Sequence, residues 1–334
     1  MLRNIKNQNA SEILLDGLEA EEKFSYAIPE GILFSYYFFS AFGAIANVYL
    51  IFLTIRFLYR KYTTCHKIDD VFLVLFFLAF CDAGTLVLVS PFEISVLSYG
   101  CESSGMWVRS SDICRIFLGM EMLLNTETAY LLVILAFTVV NRMRKENSRK
   151  SEIILIPISL SWTLSWSLSI PLFVQAETVS PKVGLTLCTV VNRWTPAALL
   201  LLSFKFIIPS VLLLTGAIYI CLKLFDSKDG NCTYPKLLIV LSASYFLLSL
   251  YRSVFTLLYV IIPGKGHRGP DDFKVPPLAN VANSHSATLI FSMLHYSVCA
   301  LRPMEILVCL KGFKWWRRTA LDRKAHGTYQ NFSK

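Results

Sequence analysis

Arg302 is the first residue that demands an explanation. It stands immediately before a proline in "CALRPMEILVC", residues 299–309, a run otherwise apolar enough for hydrocarbon. A guanidinium in such surroundings is costly unless a counter-charge meets it. Two local solutions exist, an ion pair with Glu305 one turn on and a side chain that snorkels to the membrane surface. Glu121, Glu127, Lys205 and Arg252 also interrupt apolar runs. Glu121, Asn125 and Thr128 stand at i, i+4 and i+7, which puts them on one stripe of a helix. Uncompensated, Glu121 would suit a cationic ligand and Arg252 an anionic one; across a helix bundle the two would equally neutralise each other. Glu127 and Lys205 acquire no role from the sequence. Catalysis has no foothold, because there is no HExxH, no glycine-rich phosphate loop and no GxSxG, and the five histidines are scattered. The expectation is a protein that is not an enzyme and uses no metal or cofactor.

Composition decides which solvent these residues see. Of 334 residues, 54% are hydrophobic and 16% charged, and the mean hydropathy is +0.53. Soluble domains of this size are more polar. Apolar stretches of spanning length recur at 32–58, 69–96, 113–141, 152–175, 195–223, 236–263 and 281–308. They lack the strand-period alternation of an outer-membrane barrel, so helices must satisfy the backbone in lipid. The expected fold is an all-α membrane protein, a seven-transmembrane helix bundle over residues 32–308. Residues 1–31 form an extracellular N-terminal tail, and 309–334 an amphipathic eighth helix and cytoplasmic tail. In that last segment Lys311, Lys314, Arg317 and Arg318 are interspersed with Phe313, Trp315 and Trp316, so rings sit at headgroup level and cations on lipid phosphate.

Orientation follows from the basic residues between the spans. With the N-terminus outside, the inner segments hold nineteen Lys and Arg and the outer ones ten, which is the positive-inside arrangement. The net charge of +9 therefore reads as topology and attraction to an anionic leaflet, not as nucleic-acid binding. The tail lacks the short apolar region and cleavage site of a signal peptide, which makes the first span an uncleaved anchor. Asn9 opens an Asn-Ala-Ser glycosylation sequon on the outer side, whereas the sequons at Asn231 and Asn331 fall inside. Nine cysteines form no metal pattern, and three of them, Cys101, Cys114 and Cys188, fall on the oxidising side. Cys188 lies in "GLTLCTVV", an alternating stretch suited to a β-ribbon in the second outer loop.

Seven short matches, in order, carry a resemblance. Asn47 stands in "GAIANVYLI" and Asp82 in "LAFCD"; Trp107 precedes Cys114; "WTLSWSLSIP" has Trp162 and Pro171; "FKFIIP" has Phe206 and Pro209; and "RPMEILVCLKGFKWW" closes the last span. The sixth span aligns more loosely through "YFLLSLYRSVF". Along nearly its whole length the chain resembles a rhodopsin-like (class A) G-protein-coupled receptor. Several family motifs are altered. Asn141-Arg142-Met143 stands where the family has Asp/Glu-Arg-Tyr, 28 residues after Cys114. Ser249 and Tyr251 replace the sixth-helix tryptophan and proline, and Ile306 replaces the seventh-helix tyrosine.

The resemblance implies roles for individual residues. It sets Arg302 beside Asp82, as a buried ion pair holding a fixed cation where relatives bind sodium. It joins Cys114 to Cys188, with Cys101 as the competitor, and so ties the second outer loop over the bundle mouth. It places an extracellular ligand in the outer half of the bundle, against Glu121, Asn125, Arg252, Phe255, His295 and Tyr296. Tyr296 occupies the position of an opsin's Schiff-base lysine, which argues against light sensing. Asn141 and Arg142 would face a heterotrimeric G protein or arrestin. The expected protein is thus a plasma-membrane receptor. The altered motifs keep a second class open, a decoy or scavenging seven-helix protein that binds without signalling; a transporter would need two related halves around broken helices, which the sequence lacks. The tail carries Glu12, Asp16, Glu19, Glu21, Glu22 and Glu30 against Arg3, Lys6 and Lys23, a composition that favours capture of a basic peptide.

Overall fold

A computed structural model describes residues 30–65, 69–98, 111–144, 152–182, 185–190, 203–226, 233–249 and 278–310. Asn9, Cys101, Trp107, Asn231, Arg252, Phe255, Asn331 and the segment 311–318 lie outside the described residues. Helix α1 is Glu30–Cys65, α2 Asp70–Gly84, α3 Ser90–Ser98, α4 Ser111–Arg144 and α5 Glu152–Gln175. Strands β1, Ala176–Lys182, and β2, Leu185–Val190, pair antiparallel, and α6, Ile208–Asp226, α7, Thr233–Ser244, and α8, Leu278–Cys309, follow.

Five stretches are long and apolar enough to cross a membrane, Gly31–Thr64, Asp70–Ile94, Asp112–Arg144, Ile154–Gln175 and Ser203–Leu224. They fall on the first five apolar runs of the sequence. The sixth run begins in α7, which is shorter, and continues outside the described residues. The seventh lies in α8, a helix of 32 residues. Asn280, Asn283, His285, Arg302 and Glu305 interrupt its apolar run. The β-hairpin is the one departure from helix among the described residues, and it falls where the alternating stretch around Cys188 suggested a ribbon.

Prolines explain two irregular turns. Segments Thr85–Val89 and Ser203–Ile207 are π-helical. Each lies just before a proline, Pro91 and Pro209, whose ring would clash with the carbonyl four residues back. Val87 and Lys205 own those carbonyls, and the widened turn moves them aside. A third such turn, Tyr245–Ser249, has no proline after it within a turn.

Pro303 is handled differently. Lacking an N–H, it leaves the Cys299 carbonyl without its helical donor. Asn47 of α1 supplies one, its Nδ2 lying 2.9 Å from the Cys299 oxygen. The helices can approach that closely because residue 43 is glycine: a Cβ there would stand 2.6 Å from the Ala300 Cβ. One amide therefore both repairs α8 and sets its register against α1.

The core runs between α2, α4 and α7. Val71, Val74, Leu75, Leu78, Leu131, Leu132, Leu135, Leu237, Leu238 and Leu241 are completely buried. A smaller cluster, with Tyr36, Leu86, Ile94, Tyr296, Cys299 and Ala300, joins α1 and α8. Helix α4 is the hub, packing on α2, α5, α6, α7 and the hairpin. Large apolar side chains such as Phe34, Ile45, Phe52, Phe137, Leu160, Val174 and Leu222 are exposed on the rim, the surface a membrane protein turns to lipid.

Candidate functional site

Polar side chains meet at three depths inside this frame. In the middle, Arg302 Nη1 donates to both oxygens of Asp82, at 2.5 and 2.7 Å. Both residues are 1% exposed. The contact is made by a single nitrogen rather than by a two-pronged fork, and Arg302 Nε has no hydrogen-bond partner. Glu305, the local alternative, instead accepts a bond from Ser244 Oγ of α7 at 3.1 Å. Neither does Arg302 reach the surface.

Toward the end that carries the hairpin, Glu93 of α3 is buried and accepts bonds from Ser292 Oγ, at 2.5 Å, and from the Tyr296 hydroxyl. Tyr296 stands edge-on to Tyr36, their ring centroids 5.7 Å apart. Beside it, His295 Nε2 lies 3.1 Å from Asn125 Oδ1, within hydrogen-bond distance. These contacts fasten α8 to α3 and α4 through neighbouring residues of one turn. Glu121 and Asn125 are half-buried and Thr128 is buried, on the stripe their spacing implied. Of the six residues assigned to a ligand, His295, Tyr296 and Asn125 come together; Glu121 lies one turn from Asn125, and Arg252 and Phe255 lie outside the described residues.

Glu127, which the sequence left without a role, is fully buried between helices. It accepts from Ser161 Oγ at 2.7 Å and from Ser165 Oγ at 2.9 Å, both on α5. A carboxylate that deep requires donors, and the i, i+4 serines present two on one face. Cys114 is buried near the start of α4. Arg115 beside it donates from Nε to the Ala176 carbonyl at 3.1 Å, fastening the hairpin to α4. In the hairpin the Cys188 backbone is registered opposite Thr178.

At the opposite end Asn141 and Arg142 are exposed. Arg142 nevertheless has a carboxylate, since its Nη1 lies 3.4 Å from Asp69 Oδ1, and its guanidinium sits 4.5 Å from the ring centre of Tyr234.

Sequence reasoning missed Glu93, Ser292, Asp69 and Tyr234. Glu93 bore the same signal as Arg302, an ionisable residue within an apolar run. Ser292, Asp69 and Tyr234 had none, because only the fold supplies their partners. No family model and no curated protein matches this chain.

Proposed function

We propose that this chain is a plasma-membrane receptor of the rhodopsin-like kind, with its N-terminus outside. It takes an extracellular ligand in the outer half of a seven-helix bundle and signals to a heterotrimeric G protein. The observation that carries the reading is a column of buried polar contacts joining α8 to its neighbours. Glu93–Tyr296 and His295–Asn125 lie above, and Asp82–Arg302 lies below. Such groups are expensive in a bundle interior and mark function there by default. The upper contacts offer a ligand both a carboxylate and an imidazole, and their exchange for ligand contacts would move α8 relative to α3 and α4.

The other assignments join this reading. Cys114 lies near the start of α4, which packs on both strands of the hairpin; that proximity supports Cys188 as its partner and a loop tied across the mouth. Asn9 would carry glycan, and the acidic tail would draw in a basic peptide. The segment 309–334 lies along the inner leaflet as an amphipathic helix and tail. The chain binds and relays, with no catalysis or cofactor assigned.

A decoy that binds without signalling is the second reading, favoured by Asn141 in place of an acidic residue before Arg142. The two separate in one experiment, a screen of basic peptides and small molecules with G-protein activation and arrestin recruitment read side by side. The receptor reading expects a ligand that drives nucleotide exchange and loses potency with Glu93→Gln or His295→Ala. A ligand that binds and is internalised with no exchange on any heterotrimer would establish the decoy instead.

A further inference from the structure

Glu127 is an acidic residue of the bundle interior that no cation meets. Asp82 has Arg302 and Asp69 has Lys61. Glu127, 0% exposed, is hydrogen-bonded among the described residues only to hydroxyls, those of Ser161 and Ser165 on α5. From α2 the Cys81 thiol lies close enough to feel its charge, and no Lys, Arg, His, Asp or Glu faces it from any described element. An ionised carboxylate in an apolar interior with hydroxyl donors alone is costly, and a neutral acid there costs far less.

The protons around Glu127 are too few for the contacts they must make. Ser161 Oγ lies 2.7 Å from Glu127 Oε1 and also 2.8 Å from the Ile158 carbonyl oxygen of its own helix. Ser165 Oγ lies 2.9 Å from Glu127 Oε2. That makes three contacts, and each of the two serines brings one proton. With Glu127 ionised, Ser161 donates to the carboxylate or to Ile158 but not fully to both. A proton on Glu127 supplies the third bond: the acid donates to Ser161, Ser161 donates to Ile158, and Ser165 donates to the other carboxyl oxygen.

We propose that Glu127 is a proton switch between α4 and α5, a carboxylate that accepts from both serines in one state and an acid that donates to Ser161 in the other. Gaining the proton turns the Ser161 hydroxyl from Glu127 to Ile158, and losing it to solvent turns the hydroxyl back. A serine that bonds the carbonyl of the preceding turn often bends its helix. Ile158 follows Pro157, which already interrupts the backbone ladder of α5. The proton held on α4 is thereby read out in the shape of α5. The switch stands on these contacts and does not depend on the receptor reading.

Infrared difference spectroscopy on the full-length chain in lipid nanodiscs tests it, because the carbonyl stretch of a carboxylic acid is well separated from the stretches of a carboxylate. Spectra are recorded from mildly acidic to mildly alkaline pH, and subtracting those of Glu127→Gln isolates the residue. As pH rises, the Glu127 contribution should lose an acid band and gain a carboxylate band of matching size. Ser161→Ala keeps the carboxyl group but removes the acceptor of its proton, and should move the acid band to higher frequency. That shift reads the same contact in a sample where Glu127→Gln fails to fold. A Glu127 that stays acid, or stays carboxylate, across the whole range overturns the switch, and so does an acid band that Ser161→Ala leaves in place.

Discussion

Asp82 and Arg302 each satisfy a charge that burial makes expensive. Buried ion pairs add little net stability, but breaking one strands the remaining charge at a cost of about 3–5 kcal/mol. Asp82→Asn or Arg302→Gln alone should therefore lower folded protein at the cell surface. The double substitution leaves two amides able to hydrogen-bond and should recover more than either single change. Surface labelling and thermal melts in detergent would measure it, and a double variant no better than its worse parent would count against the pairing as the source of the loss. Glu305→Gln should be mild by comparison, because Glu305 bonds Ser244 and not Arg302.

At the scale of the element, α8 carries a proline in its interior and is repaired from α1. Asn47→Ala would leave the Cys299 carbonyl buried without a donor, a loss of about 1–3 kcal/mol. Pro303→Ala would return an N–H to that carbonyl. In a Pro303→Ala background the Asn47→Ala cost should fall to less than half, a coupling that a double-mutant cycle on melting temperature detects. Equal costs in both backgrounds would mean that Asn47 acts elsewhere. The hairpin offers a second test at this scale. With Cys114 joined to Cys188, serine at either position should lower surface expression alike, while Cys101→Ser stays near the unsubstituted level; peptide mapping that joined Cys101 to Cys188 would reverse the assignment.

For the whole molecule, the proposed N-out orientation rests on the distribution of Lys and Arg, and glycan would report it. Asn9→Gln should remove all glycosidase-sensitive mass, and Asn231→Gln or Asn331→Gln none. A shift on Asn231→Gln would invert the topology and with it the assignment of inner and outer sites. On the receptor reading the acidic tail would act at longer range. Neutralising Glu12, Asp16, Glu19, Glu21 and Glu22 should slow association of a basic peptide severalfold at low ionic strength, and hardly at all near 0.15 M, where the Debye length is about 8 Å. Association unchanged at low salt would point to a ligand that enters the bundle without help from the tail.

What the sequence determined by itself was set by local rules. Hydropathy marked seven apolar runs, the first five of which are helices long and apolar enough to span, because a backbone in lipid has so few ways to bond itself. Side-chain alternation located the ribbon around Cys188, and the cost of an ionisable group in an apolar run drew attention to Arg302. The partner of Arg302 did not follow from such rules: Asp82 lies 220 residues away in the chain, against three for Glu305. Tertiary structure decided that contact, and likewise the serines of α5 that surround Glu127, the Asn47 amide on the Cys299 carbonyl, and Asp69 and Tyr234 around Arg142. The physical reason is the same for each. A buried polar atom fixes only that a partner must exist, whereas which partner is near depends on how α1, α2, α4 and α8 pack, and that packing rests on close approaches such as Gly43 on Ala300 that no local pattern encodes.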